Sequence, residues 1–538
     1  MDELSGQTTR TASSVTRYES LIIAAILGVA VLFRLWDLGA RNLWTDEAWV
    51  ALAALAPTPG EALTLGRSTP PFYTLTVWGL VQVWGGSEAV LRSLSFALGV
   101  GSVALFWPVA RRLTNRIAAL LGLALVAVSP VLVYFSKELK QYSGDAFFAI
   151  LMVWLAERLK ERPSYARWLT LALVGLVALG FSHGAVFVLP AILLVLWLES
   201  PRPHRFRVIG LGALWGSAII IFFMLVYRGQ VNLELVAYWL RDYPDFSGLT
   251  PFLMWFGGSW VRYFHYFFHY FFASPWGWLW GEVFVMVGLV LLVREGPRRL
   301  LIYWGGPLLL VFGASVLHRY PFMGHYNGSR LLLFSAPWLY LITAIGTAAV
   351  VTRLWSQPRP WRWLAPALAG LILITLQPLA LVQENLHPQA NRQELKPLTA
   401  YLQKNLRPGD RIYVYFHAIY PFKYYYHGKL TGVVWGKSCV ETNLELPPSK
   451  SGSPQRLWLV ASHFRDLAPL RRFAIRLLGP DWREEALLTR QNAALFLFVH
   501  RDRTLANLRR MPAKSPQSGT AAPSGEMACL EIPPPPRP

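Results

Sequence analysis

Two adjacent carboxylates, Asp46 and Glu47, are the residues of this sequence best suited to acid–base chemistry. They follow the first long apolar stretch and lie between Trp44 and Trp49. Tryptophan favours the boundary between membrane and water, whereas an ionised carboxylate avoids hydrocarbon. The pair is therefore predicted at a membrane surface, where a carboxylate can accept a proton from a substrate. The alternative is a pair of solvated loop charges.

A second charged group, Lys137, Glu138 and Lys140, lies in a later connection between apolar stretches. The two lysines could pair with a phosphate, an anion that cationic side chains bind well. Glu138 could position a second substrate, bind a metal or hold one of the lysines. The alternative for the lysines is that their stems lie in the membrane interface and a local ion pair forms.

The histidines and cysteines carry weaker signals. His265 and His269 have the i, i+4 spacing that can bind zinc on one helix face, but the aromatic residues around them favour an interfacial belt. His183 could contact a substrate, although a capping or packing role is preferred. The two cysteines, Cys439 and Cys529, give neither a disulfide framework nor a zinc-site spacing.

Composition identifies the elements that must position these residues. Of 538 residues, 54% are apolar and only 15% are charged, which is too apolar for a soluble protein. The net charge of +21 would suit nucleic acid, but the basic residues cluster in short loops between apolar runs. That pattern is typical of membrane proteins, so no nucleic-acid partner is expected.

The predicted fold is mainly α, a polytopic membrane bundle of about eleven spans with a small α/β domain outside the membrane. The spans are placed at 20–36, 88–110, 117–135, 141–157, 166–182, 183–199, 208–227, 276–293, 300–317, 329–352 and 363–382. Only residues 182–184 separate the fifth span from the sixth. In the first outer loop, the apolar run up to Trp84 is too short to span and is predicted to be an interfacial helix.

Basic residues fall on alternate connections and put the N-terminus in the cytoplasm. An odd number of spans then places the C-terminal domain outside the cytoplasm. The predicted domains are a cytoplasmic tail (1–19), a transmembrane domain (20–387), an α/β domain (388–510) and a disordered Pro-rich tail (511–538). In the α/β domain, helices are predicted at 392–406 and 465–477, and strands at 411–416, 456–460 and 494–499.

Several stretches resemble the GT-C superfamily of membrane glycosyltransferases. The sequence RLWDLG at 34–39 followed by LWTDEA at 43–48 resembles the first-loop motif of the bacterial branch related to protein O-mannosyltransferases and lipid A aminoarabinose transferase. Residues 69–73, 86–95 and 129–142 resemble later motifs of that branch, and 318–340 does so more weakly. Where the branch more often has Gln-Glu-Ala-Arg, this chain has Lys-Glu-Leu-Lys at 137–140.

The resemblance implies an inverting enzyme that uses a polyprenyl-phosphate sugar on the non-cytoplasmic face. It implies that Asp46 is the base and that basic residues of later outer loops bind the donor phosphate. Glu47 and Glu138 are assigned to the catalytic group, with Glu47 orienting a neighbour or capping the following helix. The predicted substrate-binding residues are Arg34, Lys137, Lys140, Tyr142, His183, Tyr320 and Arg330. For Arg330, an interfacial anchor is the alternative. No cofactor is required, although the resemblance allows a divalent metal.

The predicted function is transfer of a hexosyl or pentosyl group from a polyprenyl-phosphate donor to an acceptor hydroxyl or amine, in the plasma (inner) membrane. The expected partners are the donor, membrane lipids and a lipid, polysaccharide or protein acceptor. One alternative is a lipid-linked sugar flippase or exporter without transfer chemistry. It would need a polar pathway through the bundle, whereas most acidic residues between Glu19 and Glu295 fall at loops or span ends. A second alternative is a non-catalytic scaffold that presents the outer domain.

Overall fold

The computed structural model describes residues 2–66, 69–226, 228, 239–269, 277–323, 328–387, 393–437, 444, 456–464 and 466–500. The predicted tail at 511–538 and both cysteines lie outside these residues. Contacts divide the chain into two compact units. The first comprises Met1–Leu38 and Thr58–Pro388, and the second comprises Gly39–Pro57 and Gln389–Pro538. The loop that carries Asp46 therefore belongs to the same unit as the C-terminal domain.

The described part of the chain is mainly helical, as predicted. Its helices are α1 (Asp2–Leu35), α2 (Thr45–Ala54), α3 (Pro59–Leu65), α4 (Pro71–Trp84), α5 (Glu88–Leu113), α6 (Arg116–Val128), α7 (Pro130–Ser136), α8 (Tyr142–Glu161), α9 (Tyr165–Phe181), α10 (Ala185–Glu199), α11 (Arg205–Leu225), α12 (Leu249–Phe268), α13 (Gly277–Arg294), α14 (Arg299–Val316), α15 (Ala336–Trp355), α16 (Leu364–Leu376), α17 (Pro378–Leu386), α18 (Leu395–Asn405), α19 (Ile419–Tyr425) and α20 (Leu467–Leu478). A 3-10 segment, Gly328–Ser335, leads directly into α15.

Local capping explains where several of these helices begin. Ser87, Asn115 and Ser164 precede α5, α6 and α9, and each side chain accepts a hydrogen bond from a backbone N–H of the first turn. Such caps satisfy donors that have no partner inside the helix. Proline occupies an early position in α3, α4 and α7, where its missing N–H is not needed.

The predicted break between the fifth and sixth apolar stretches is confirmed, since α9 ends at Phe181 and α10 begins at Ala185. A carboxylate of α8 stabilises this break. Asp145 Oδ1 accepts hydrogen bonds from Ser182 Oγ at 2.5 Å and from the Gly184 N–H at 3.2 Å. The Ser182 hydroxyl in turn accepts from the Ala185 N–H at 3.1 Å. The break therefore has specific polar support.

Among the described residues, five helices are long and apolar enough to cross a membrane. They are Tyr18–Leu35, Glu88–Leu113, Arg202–Leu225, Arg299–Val316 and Gly328–Trp355. A sixth span is formed if α6 and α7, which meet at an angle of 51° across the break at Ser129, are taken together. Two further apolar helices, α9 and α10, are shorter. The count of about eleven spans stays a prediction.

Small residues allow close helix packing in the first unit. Gly288 of α13 lies against the backbone of Ile342, and Gly346 of α15 lies against the backbone of Phe284. A methyl group at either glycine would overlap a carbonyl oxygen of the partner helix. Such small-residue crossings are common where membrane helices pack. They allow α15 to pack inside the apolar core of this unit.

The second unit contains a five-stranded sheet in the order β2-β1-β3-β5-β4. Its strands are β1 (Arg411–Val414), β2 (Val433–Trp435), β3 (Arg456–Ser462), β4 (Trp482–Arg490) and β5 (Ala493–His500). Strand β1 is parallel to β2 and β3, whereas β5 is antiparallel to β3 and β4. Because side chains alternate along a strand, the two faces contribute to two apolar clusters, one with α18 and one with α20.

The predicted strands correspond to β1, β3 and β5, and the predicted helices correspond to α18 and α20. Strands β2 and β4 and helix α19 were not predicted from the sequence. Strand β4 alternates partly buried and exposed residues and carries Arg483, Glu484 and Glu485, so it lacks the apolar run that identified the other strands. Strand β2 is only three residues long.

Candidate functional site

The predicted catalytic carboxylates lie in the first turn of α2, in the second unit. Acidic side chains are favoured at this end of a helix because its free N–H groups and dipole present positive charge. The Glu47 side chain is fully buried, whereas Asp46 is partly exposed. The interpretation of the pair as solvated loop charges is therefore wrong for Glu47.

Residues of the C-terminal domain hold the start of α2. The Thr45 N–H donates to Gln393 Oε1 at 3.3 Å. The Thr45 hydroxyl lies 2.8 Å from the His417 carbonyl oxygen, to which it can donate. Two residues before Thr45, the Leu43 N–H donates to the Tyr425 hydroxyl at 2.6 Å. These bonds link two segments of the C-terminal domain, one at Gln393 and one at 417–425, to the residues that precede Asp46.

Aromatic contacts flank the carboxylates on both sides. Trp44 stacks on His463 with ring centroids 6.2 Å apart and an interplanar angle of 16°. Trp49 stacks on Tyr420 at 5.6 Å and 16°. The two tryptophans that the sequence analysis assigned to a membrane interface thus contact rings of their own unit.

His417 is the titratable group most strongly perturbed near this loop. Burial and the neighbouring His463 lower the pKa of His417 to about 3, and the negative charge of Asp46 opposes the shift. The two imidazole rings lie 5.1 Å apart. Within the described part of the chain, His417 Nε2 is buried and has no hydrogen-bond partner. The neutral imidazole of His417 therefore lies close enough to Asp46, the candidate base, to interact with it electrostatically.

The second predicted group, Lys137, Glu138 and Lys140, lies in the turn between α7 and α8 in the first unit. Each of the three residues is at most 5% exposed. Lysines that extend to the interface would keep their ammonium groups in water, so this burial argues against that interpretation. The turn is held to α5, because Ser95 Oγ donates to the Lys140 carbonyl oxygen at 3.1 Å.

A backbone oxygen and a carboxyl group surround Lys137. Its Nζ donates to the Asn385 carbonyl oxygen at 2.6 Å. The neighbouring Glu384 has its pKa raised to about 7 by burial, and the charge of Lys137 opposes this shift. Asn385 also donates through Nδ2 to the Val128 carbonyl oxygen at 3.0 Å. Ionisation of Glu384 therefore changes the electrostatic environment of the Lys137 ammonium group.

Arg330 and Tyr142 come together in the first unit. The Arg330 guanidinium lies 5.8 Å from the ring centre of Tyr142 and 5.7 Å from that of Trp239. Such cation–π contacts fix a guanidinium without neutralising it. Tyr320 donates to the Leu331 carbonyl oxygen at 3.1 Å and so steadies the segment that carries Arg330.

Two other predicted substrate-binding residues have different surroundings. Arg34 is buried and donates to the carbonyl oxygens of Ala30, Val126 and Ala127, which ties α1 to α6. These contacts give it a structural role, and substrate binding stays a prediction for it. His183 is partly exposed and lies in the break between α9 and α10.

The structure also bears on metal binding. His265 and His269 stack with ring centroids 4.4 Å apart. No group of three or more His, Cys, Asp or Glu side chains suited to a metal ion is found among the described residues. Dependence on a divalent metal stays a prediction.

Five residues near the candidate site were not predicted from the sequence: Gln393, His417, His463, Glu384 and Asn385. Each is a single residue outside any recognisable motif, and its relation to the candidate site comes from contacts across long stretches of sequence. The one signal present was the placement of Gln393 and His417 in a domain with its own predicted strands.

Solved structures with a similar fold cover 86–90% of this chain at low sequence identity. ArnT from Cupriavidus metallidurans bound to undecaprenyl phosphate matches with 14% identity and a TM-score of 0.50, over 90% of this chain and 98% of that one. The apo oligosaccharyltransferase from Archaeoglobus fulgidus matches with 10% identity and a TM-score of 0.51, over 86% and 71% of the two chains.

A further structure, the oligosaccharyltransferase AglB from Archaeoglobus fulgidus in complex with an inhibitory peptide and a dolichol-phosphate, matches with 10% identity and a TM-score of 0.50, over 89% and 74% of the two chains. Residues 68–227 match a family model described as dolichyl-phosphate-mannose-protein mannosyltransferase. No curated protein matches the chain. The predicted resemblance to GT-C membrane glycosyltransferases is confirmed.

Proposed function

We propose that this chain is an integral membrane glycosyltransferase that moves one sugar from a polyprenyl-phosphate donor to a hydroxyl or amine acceptor on the outer face of the plasma membrane. The observation that carries the proposal is the position of the Asp46 carboxylate in the first turn of α2, next to Thr45, whose N–H is bonded to Gln393, and within the motif that resembles GT-C enzymes. The ligands named for two similar structures, undecaprenyl phosphate and a dolichol-phosphate, support a lipid-phosphate donor.

In the proposed reaction Asp46 accepts the proton of the acceptor hydroxyl or amine as its oxygen or nitrogen attacks the anomeric carbon. The new bond forms on the face opposite the phosphate, so the configuration of the sugar inverts. The bond between the anomeric carbon and the phosphate oxygen breaks with both electrons going to oxygen, and polyprenyl phosphate leaves with the added negative charge.

Basic residues stabilise that leaving group. We assign this role to Arg330, Lys137 and Lys140 in the first unit, because fixed cations stabilise charge that develops in a transition state. Tyr142 contributes by holding the guanidinium of Arg330. Glu138 is assigned to the acceptor or to a lysine of the same turn. Tyr320 and His183 are assigned to substrate binding.

The test is conversion of the donor by purified protein in detergent. A panel of synthetic polyprenyl-phosphate sugars is incubated with the protein and a membrane extract that supplies acceptors, and polyprenyl phosphate and glycosylated products are measured by mass spectrometry. We expect at least one donor to be converted to polyprenyl phosphate and a product that carries its sugar. A protein that only moves the lipid across a membrane would leave every donor intact.

A further inference from the structure

The side chain at the N-cap position of α2, the helix that carries Asp46, does not cap it. The first backbone N–H groups of a helix have no partner within it. The residue at the cap position is Trp44, whose side chain makes no capping hydrogen bond. The acceptor comes instead from Gln393, far along the chain, whose Oε1 receives the Thr45 N–H at 3.3 Å. Gln393 is only 2% exposed.

The orientation of the Gln393 amide is set by a second hydrogen bond. Its Nε2 lies 2.5 Å from His463 Nδ1. An amide nitrogen can only donate, so Nδ1 accepts and the proton of a neutral His463 is on Nε2. With Nε2 engaged in this way, Oε1 faces Thr45. A leucine at position 393 would keep the volume but remove both bonds.

His463 contacts the same stretch a second time, through the stacking of its ring on Trp44. Its backbone has a φ of +62°, a left-handed conformation that few non-glycine residues adopt. The His463 N–H donates to the Asn492 carbonyl oxygen at 3.0 Å, which helps to hold this conformation. The ring is therefore presented from an anchored backbone position rather than from a freely rotating loop.

We propose that Gln393 and His463 are positioning residues that set the place of the Asp46 carboxylate by fixing Trp44 and Thr45. The C-terminal domain then contributes to catalysis through the position of the base, since Gln393 accepts a hydrogen bond from the first turn of the helix that carries Asp46. The inference rests on the proposed function of Asp46. Displacement of a reacting group by about 1 Å can lower a rate by about a hundredfold, so a lost cap has a kinetic effect.

The experiment compares Gln393→Leu with Gln393→Glu in the full chain. In the leucine variant we expect kcat to fall about 10- to 100-fold with the donor KM unchanged. Glutamate keeps an oxygen acceptor for the Thr45 N–H and can accept from a proton on His463 Nδ1, so it should restore most of kcat. Asn405→Leu is the control, because it deletes an exposed side-chain amide that belongs to α18 in the same unit. This variant should behave as wild type.

Hydrogen exchange of the backbone amides in α2 provides a second measurement. The leucine variant should exchange faster at Thr45 and in the following turn, while the strands of the sheet keep their protection. A wild-type kcat in Gln393→Leu would overturn the inference. An equal loss of kcat in folded Gln393→Leu and Gln393→Glu would also overturn it. Neither result would affect the proposed function, which fails separately if Asp46→Asn keeps full transfer activity.

Discussion

The partly buried, neutral His417 predicts that acid weakens the C-terminal domain. Its pKa is about 3 in the folded protein, against an ordinary value of 6.5. Between those values an unfolded chain binds a proton that the folded chain does not bind. The free energy of unfolding therefore rises with pH across this window, and the contribution is lost as pH falls below 6.5. Between pH 7 and pH 5 the two pKa values give a loss of at most ~2 kcal/mol.

Hydrogen–deuterium exchange of the full chain in detergent measures this loss. The informative amides are those of β1, β3 and β5, since His417 follows β1 and these strands pair with one another. After correction for the intrinsic pH dependence of exchange, their opening free energy should fall by ~1–2 kcal/mol from pH 7 to pH 5 in the wild type. In His417→Gln, which has no group to protonate, this part of the change should disappear.

The exposed His427 provides the control, and His427→Gln should retain the wild-type pH dependence. Carboxylates elsewhere in the unit titrate equally in all three proteins, so the comparison isolates His417. An identical fall in opening free energy in wild type and His417→Gln would refute the reasoning. It would mean that His417 has a similar pKa in the folded and the unfolded chain.

Two predictions concern the basic residues of the first unit. Arg330→Met should raise the donor KM or lower kcat by about 10- to 100-fold, and Arg330→Lys should recover little, because a lysine cannot reproduce the planar guanidinium held between two rings. Steady-state kinetics with varied donor measures both. Ionisation of Glu384 near pH 7 places a negative charge near Lys137, so the donor KM should rise between pH 6 and pH 8. In Glu384→Gln that rise should vanish. Unchanged donor kinetics in Arg330→Met, or the same pH profile in Glu384→Gln, would remove the residue concerned from the donor site. Lys404→Met, an exposed lysine of α18, is the control for general charge loss.

The helices of the first unit follow from signals that lie within their own sequence. Apolar length gives the helix body, and a side chain such as Asn115 or Ser164 marks its start, so α6 and α9 begin within one residue of the predicted position. The break at residues 182–184 is also local, although its partner Asp145 lies on another helix. These features do not depend on the register of distant segments.

The environment of Asp46 could be predicted only in part. The motif identifies the carboxylate, but Gln393 and His463 contact its helix only because the chain returns after several hundred residues. No periodicity or residue spacing in the sequence predicts such a long-range contact. The burial of Glu47 has the same origin, since an acidic residue in a loop gives no local sign that tertiary packing will cover it.

The most direct test of the account is transfer by Asp46→Asn. Asparagine keeps the size of the side chain but cannot accept the proton, so kcat should fall by about 10²- to 10⁴-fold while donor binding and helicity remain. Glu485→Gln is the matched control, because it replaces an exposed carboxylate that belongs to β4. This variant should retain wild-type activity. A purified Asp46→Asn protein that transfers sugar from a polyprenyl-phosphate donor at the wild-type rate would contradict the central claim that Asp46 is the base.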